Sequence, residues 1–229
     1  MYRSKYWVHI LLPTEPKQSV SPKRIAGVDL GIRTFATVYS YSKDETVIRE
    51  YKHRADALKE LNRKIYFLQH LRRTLYKPIK KRKKRKKRIR KKHISKLEKR
   101  KSDLVDRLHW DFVNHILVHN EVVYLGDIKS HDIVKGGKSK FLNLAFNDLK
   151  FYQLKQRLLY KAFVYGKKVL MVPEHYTTKT CSCCGTINDQ VGSKEIFSCG
   201  SCNMVTGRDM NASKNMMLHK SVFNVKNVI

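Results

Sequence analysis

Ile25-Ala26-Gly27-Val28-Asp29-Leu30-Gly31 decides how the rest of the chain is read. Every residue but one is apolar or glycine, so the stretch reads as a buried strand. A carboxylate inside such a strand costs free energy unless it is paired or bound to a cation. Taken alone, Asp29 admits two readings: a buried acid paired with Arg33, or a ligand in a catalytic metal site. Just downstream, Thr34-Phe35-Ala36-Thr37-Val38-Tyr39-Ser40 follows a tight turn at Gly31, and a third strand is expected around Thr46 to Tyr51. Three consecutive strands with short connections predict an antiparallel meander. Upstream, residues 2 to 12 are rich in aromatic and β-branched residues and read as one more strand, ended by Pro13-Thr14-Glu15-Pro16-Lys17.

Beyond the meander the period changes. Leu58, Leu61, Ile65, Leu68, Leu71 and Leu75 fall three or four apart, the spacing of one helical face, and Pro78 should kink or end that helix. A second stripe runs through Ile94, Leu97, Leu104, Val105, Leu108, Phe112, Ile116 and Leu117. Between the two stripes, Lys77 to Lys101 holds 17 Lys/Arg among 25 residues, with Glu98 the only acid. Two long helices forming an arm with its charge at the turn are expected. Then come a buried-type strand, Glu121 to Ile128, a glycine-rich loop at Lys135 to Ser139, a helix from Phe146 to Tyr165, and a strand at Lys168 to Val172. Last come a cysteine block and a helix from Asp209 to His219. The order β-β-β-α-β-α-β, then an insertion, then α, suits an α/β protein with a mixed sheet flanked by helices, the ribonuclease-H-like layout.

With 49 Lys+Arg against 19 Asp+Glu, the 229 residues carry a formal net charge of +30. That balance excludes an acidic binding protein or an ordinary soluble enzyme and points to a polyanion, nucleic acid before an anionic membrane surface. No apolar run approaches the roughly 18 to 20 residues of a membrane span, and the start lacks a signal-peptide pattern. No membrane partner is therefore expected, and the protein is expected inside the cell: the nucleus for a eukaryotic or viral host, the cytoplasm or nucleoid otherwise.

All five cysteines lie between Cys181 and Cys202. Cys181/Cys184 and Cys199/Cys202 form two C-x2-C pairs with 14 residues between them, the pattern of one tetrahedral Zn²⁺ with thiolate bonds of about 2.3 Å. A four-thiolate site has no open position, so this Zn²⁺ is expected to be structural. Cys183 is spare. Asp209, in Gly207-Arg208-Asp209-Met210-Asn211-Ala212, reads either as a helix N-cap or as a second acid of a metal site.

Three motifs in this order carry a family resemblance: Gly27-Val28-Asp29-Leu30-Gly31-Ile32, Tyr176-Thr177-Thr178-Lys179-Thr180-Cys181 through Cys184-Gly185, and Gly207 to Asn215. Over roughly residues 20 to 220 the chain resembles the RuvC-like nuclease of the TnpB/Fanzor family, transposon-encoded RNA-guided DNA endonucleases. The resemblance implies a ribonuclease-H-like fold, a zinc finger inserted before the last helix, guide RNA and DNA as partners, and cleavage with two Mg²⁺ ions. It assigns catalytic roles to Asp29 and Asp209. The bacterial members end their fourth strand with a catalytic Glu; Gly126 stands there in Val123-Tyr124-Leu125-Gly126-Asp127-Ile128. The Fanzor branch lacks that Glu and carries one just before its Tyr-Thr-x-Lys-Thr-Cys motif, which here is Glu174.

With the family's strand order 3-2-1-4-5, a Glu past the fifth strand can reach across a neighbour about 4.8 Å away that has no side chain. Gly126 and Glu174 would then form a compensated pair. The alternative is that Glu174 is a solvated loop carboxylate and the site is dead. Asp127 should face away from the centre, since successive strand residues alternate. The resemblance also implies an N-terminally truncated member: residues 1–19 as the last strand of a barrel, 20–175 as nuclease with the basic arm at 53–120, 176–206 as zinc finger, and 207–229 as the closing helix.

The basic run, with Lys81, Arg82, Lys84, Arg85, Lys87 and Arg88 at its centre, suits phosphate contact; a nuclear localisation signal and a solvated tip are the other readings. Tyr176 and Lys179 suit base stacking and strand holding, although packing of Tyr176 against the zinc knot is the commoner arrangement. Arg208, which also suits nucleic-acid contact, and Asn211 flank Asp209 as orienting groups; pairing with an acid is the other reading of Arg208, and His175 adjoins Glu174. The first reading is a Mg²⁺-dependent endonuclease with Asp29, Glu174 and Asp209 at its centre. The alternative is a catalytically silent, basic zinc-finger nucleic-acid-binding protein on the same fold.

Overall fold

The structure, a computed structural model, describes residues 24–52, 55–74, 81–127, 140–192 and 194–218. The strand expected at residues 2 to 12, the break at Pro78 and the loop at 135–139 lie outside them. Strands β1 (Ile25–Leu30), β2 (Ala36–Tyr41) and β3 (Thr46–Tyr51) form the expected antiparallel meander, with Val28 opposite Val38 and Tyr39 opposite Ile48. β4 (Val122–Gly126) and β5 (Lys168–Val172) extend it in parallel, giving the order β3-β2-β1-β4-β5. The sheet is mixed, and helices flank it as the ribonuclease-H-like reading requires.

Alternation along the strands sorts the two faces. Ala26, Val28 and Leu30 of β1, with Val123 and Leu125 of β4, enter the main core. Helices α1 (Ala55–Thr74), α2 (Lys81–His119), α3 (Lys140–Leu149) and α4 (Phe151–Val164) lie on that side, supplying Leu58, Val105, Phe112, Leu149, Leu154 and Leu158 among others. Tyr124, Leu170 and Val172 face the opposite side, against Met217 of α5 (Arg208–Leu218). A short hairpin, β6 (Ile196–Ser198) with β7 (Val205–Gly207), closes the cysteine insertion.

Two expectations are corrected. The single helix expected over 146–165 is two helices, because Lys150 adopts the left-handed conformation (φ 48°) between α3 and α4. The junction is stapled by His109 of α2, fully buried and stacked on Phe35, which donates from Nε2 to the Leu149 carbonyl (2.9 Å) and accepts at Nδ1 from Arg157 (3.1 Å). Arg157 in turn pairs with Asp106 at 2.6 Å. The basic run is also not confined to a turn. It is helical from Lys81 onward, as Lys and Arg are good helix formers. Among the described residues no helix is long and apolar enough to cross a membrane.

Candidate active site

Gly27 seats the helix that carries Asp209. A Cβ added at Gly27 would lie 1.9 Å from the Ser213 carbonyl oxygen, so the α5 backbone rests directly on β1 and excludes any side chain there. Two residues along a strand advance about 6.7 Å. Four residues back along the helix, from Ser213 to Asp209, cover about 6 Å. The two steps nearly match, which brings Asp29 and Asp209 to one level on the α5 face of the sheet. Asp29 registers this company: burial above all, then the charges of Asp209 and Glu174, raise its carboxyl well above the usual range, while Arg208 works in the opposite direction.

Glu174 arrives from the other side. Gly27 pairs with Tyr124 in the parallel register and Gly126 with Val172, so one further step sets Gly126 beside Asp29. Glu174 lies two residues past Val172 and keeps its parity. A Cβ added at Gly126 would meet Glu174 Oε1 at 2.5 Å, Met216 Cε at 2.9 Å and Glu174 Cδ at 3.2 Å. The Glu174 carboxylate thus occupies the space that a side chain at position 126 would fill. Oε1 is buried and has no hydrogen-bond partner. Burial, with a smaller contribution from Asp127, pushes Glu174 up to about 7.

Neighbouring groups settle several of the open readings. Arg33 does not pair with Asp29; it reaches Glu195 of the cysteine insertion at 2.9 Å. Asp209 is not an N-cap, for α5 starts at Arg208, and Asp209 Oδ1 accepts from Arg208 Nε (3.3 Å) and Nη2 (3.2 Å). Asp127 turns to Lys155 Nζ at 3.1 Å. Tyr176 is 60% exposed at a left-handed φ of 61°, so it does not pack into the knot. The Lys179 ammonium lies 5.8 Å from its ring and pairs with Asp189 at 2.8 Å. His175 is exposed. Along the first turns of α2, Lys81, Arg82, Lys84, Arg85 and Lys87 are described by their backbone, and Arg88 is exposed.

The Sγ atoms of Cys181, Cys184, Cys199 and Cys202 all lie within 4.8 Å of one another, with Cys181–Cys202 at 3.6 Å and Cys184–Cys199 at 3.5 Å. A tetrahedron with bonds of about 2.3 Å has edges of about 3.8 Å, so the four donors fit a single metal ion. Cys183 is exposed and stands apart. Gly185 takes the positive φ of 79° that the first knuckle needs. Behind the knot, Asn211 and Asn215 of α5 bond to backbone at 177–182; composition gave no hint of this, although the i, i+4 spacing of two amides was visible.

A mixed sheet whose parallel strands β1, β4 and β5 end near Asp29 and Glu174, with Asp209 on the helix seated against it and a four-cysteine knot alongside, is the ribonuclease-H-like class of fold. Comparison with known proteins gives the family. Residues 151–216 match the family model "Cas12f1-like, TNB domain". The TnpB-like protein L79 of Acanthamoeba polyphaga mimivirus is 32% identical over 213 residues, covering 88% of this chain and 38% of that protein. The CRISPR-associated endodeoxyribonuclease Cas12f1 of Sulfoacidibacillus thermotolerans is 26% identical, covering 94% and 50%. Among solved structures, a Cas12f1-sgRNA-target DNA complex matches with a TM-score of 0.58 at 20% identity, over 88% of this chain and 51% of that one. A CRISPR-Cas12f ternary complex matches with a TM-score of 0.55 at 21%, over 91% and 41%. The chain belongs to the TnpB family, as the three motifs implied, and it spans between 38% and 50% of the length of these curated relatives.

Proposed function

We propose that the chain is the nuclease part of an RNA-guided DNA endonuclease, with Asp29, Glu174 and Asp209 holding two Mg²⁺ ions and the four cysteines holding a structural Zn²⁺. The observation that carries this reading is Glu174 Oε1, buried and unpartnered in the space above Gly126, beside an Asp29 whose carboxyl is raised by burial first and then by both other acids. Three clustered carboxylates repel one another, and divalent cations offset that cost. When bound, the metal would supply activated water and neutralise charge on the phosphodiester.

The chain's own residues supply position. β1 and α5 fix Asp29 and Asp209 at one level, and the bare Gly126 leaves room for Glu174. Arg208 holds Asp209 Oδ1 in a defined orientation. The exposed Tyr176 ring with the Lys179 ammonium above it offers a stacking surface and a phosphate contact at the rim. The basic face of α2 suits duplex or guide RNA; the Cas12f1 complex that shares this fold contains sgRNA and target DNA.

The test is a nicking assay on single-stranded DNA with Mg²⁺ added or withheld. Cutting that needs Mg²⁺ and falls at least about 100-fold in Asp29→Asn is expected. Retained nucleic-acid binding with no cutting in any divalent metal would replace the enzyme with a silent binding protein.

A further inference from the structure

Residues 173–181 run from the end of β5 through Glu174 to the first cysteine, and two amides of α5 reach into that segment. Asn211 is 1% exposed and bonds as a strand partner would: Nδ2 donates to the Thr180 carbonyl (2.7 Å) and Oδ1 accepts from the Ser182 N–H (2.9 Å). One turn later, Asn215 Nδ2 donates to the carbonyls of Thr177 (2.8 Å) and Thr180 (2.6 Å). Thr177, itself 3% exposed, turns back toward the acid: its hydroxyl donates to the Glu174 carbonyl at 2.9 Å and its N–H at 3.3 Å. The residues gripped by Asn211 are the two neighbours of the ligand Cys181. The helix that does the gripping carries Asp209 in its first turn.

We propose that Asn211 and Asn215 are positioning residues that couple the four-cysteine knot to the carboxylate cluster. Closure of the knot on its metal fixes Thr180 to Ser182, and the amides pass that placement to α5 and, through Thr177, to Glu174. Metal occupancy at the cysteines then sets the relation between Glu174 and Asp209, two acids that no shared strand or helix holds together. An amide is needed because position 211 must donate to one backbone group and accept from another, and position 215 must donate to two carbonyls. Leucine, of similar size, leaves those buried groups unpaired. The proposal rests on the nuclease reading of the three acids.

The test uses the zinc-loaded full chain as wild type, Asn211→Leu and Asn215→Leu. Position 215 is only half-buried, so that variant keeps the test alive if the other does not fold. Three quantities are read: zinc content, Mn²⁺ affinity by electron paramagnetic resonance, and amide hydrogen exchange at 174–182. Zinc is expected to stay bound while Mn²⁺ affinity falls about tenfold, the coupling typical of groups sharing one hydrogen-bond network, and exchange at Thr177 and Ser182 quickens. Chelating zinc from wild type should weaken Mn²⁺ binding to a similar degree, and chelating it from the variants should add little. Unchanged Mn²⁺ affinity in a zinc-loaded variant, or effects that simply add, would overturn the coupling. Mn²⁺ binding that Asp29→Asn does not alter would instead sink the nuclease reading. Exchange alone then decides the clamp, which fails if zinc removal leaves protection at 174–177 intact.

Discussion

Gly126→Ala asks whether the acid has moved from β4 to the residue past β5. The added methyl would start 2.5 Å from Glu174 Oε1, where ordinary contact begins near 3.4 Å, so the carboxylate must retreat by roughly 1 Å. Met216 Cε at 2.9 Å closes the neighbouring space and limits the directions of that retreat. Both atoms end flexible side chains, so the overpacking cost should sit near the low end of about 1–3 kcal/mol, partly offset by about 0.5–1 kcal/mol gained on replacing a strand glycine. The fold should survive with a net loss of about 1 kcal/mol or less. Activity should not, because a misplacement of about 1 Å can cost about 100-fold in rate. Mg²⁺-dependent nicking beside urea unfolding separates the two effects. The double variant Gly126→Glu/Glu174→Ala restores the bacterial arrangement in the same space and should recover much of the loss. Wild-type nicking in Gly126→Ala, or a stable double variant as inactive as Glu174→Ala, would refute the relocation.

Glu174→Gln removes a carboxyl that burial holds near 7, so the metal-free variant should be at least as stable as wild type while nicking falls about 100-fold or more; thermal unfolding read beside nicking checks both. Burial lowers His109 to about 4 from 6.5, so the unfolded chain takes up a proton that the folded chain refuses. Its contribution is fully present above pH 6.5 and is lost as pH falls toward 4, about 3 kcal/mol in all; urea unfolding of His109→Gln should show a flatter acid limb. Cys199→Ser should lose the bound zinc and the hydrogen-exchange protection of residues 180–207 while β1 to β5 stay protected, and an intact hairpin in the zinc-free variant would count against the knot. Replacing Lys84, Arg85 and Arg88 by Gln should weaken binding to any DNA sequence alike and lower the salt slope by about one per residue that touches a phosphate.

The meander, both parallel strands and the spacing of the four metal-site cysteines were legible because each is local: alternation, turn glycines and C-x2-C intervals are written within a few residues of one another. The break at Lys150 was not, since Phe146 through Tyr165 keeps a helical period and the kink is set by His109, which bonds the Leu149 carbonyl from 40 residues away. The partner of Arg33 stayed open for the same reason. Proximity in sequence offered Asp29 as one reading, while the insertion delivers Glu195 to the guanidinium from 162 residues away. The charged arm was misplaced for a different reason, because a run of like charges carries no apolar stripe to mark where the helix starts. Gly27 went unexplained as well, for only the seated helix shows that position 27 has to be bare.

The two glycines that matter, 27 and 126, do opposite things with the same missing side chain. At Gly27 backbone fills the vacated space, and the Ser213 carbonyl 1.9 Å from the absent Cβ leaves nothing able to yield. At Gly126 a side chain fills it, and a side chain can be exchanged. Parallel strands make that exchange geometrically mild: β1, β4 and β5 all end on one edge, neighbouring ends are about 4.8 Å apart, and residues of equal parity face one side. A carboxylate can therefore move from the end of β4 to two residues past β5 and still point at Asp29, provided the vacated position becomes glycine. Asp29 and Asp209 have no such freedom. One is held by ladder bonds to β2 and beside β4, and the other is set by a helix seated on Gly27. Of the three acids, only the one on the irregular segment is free to migrate.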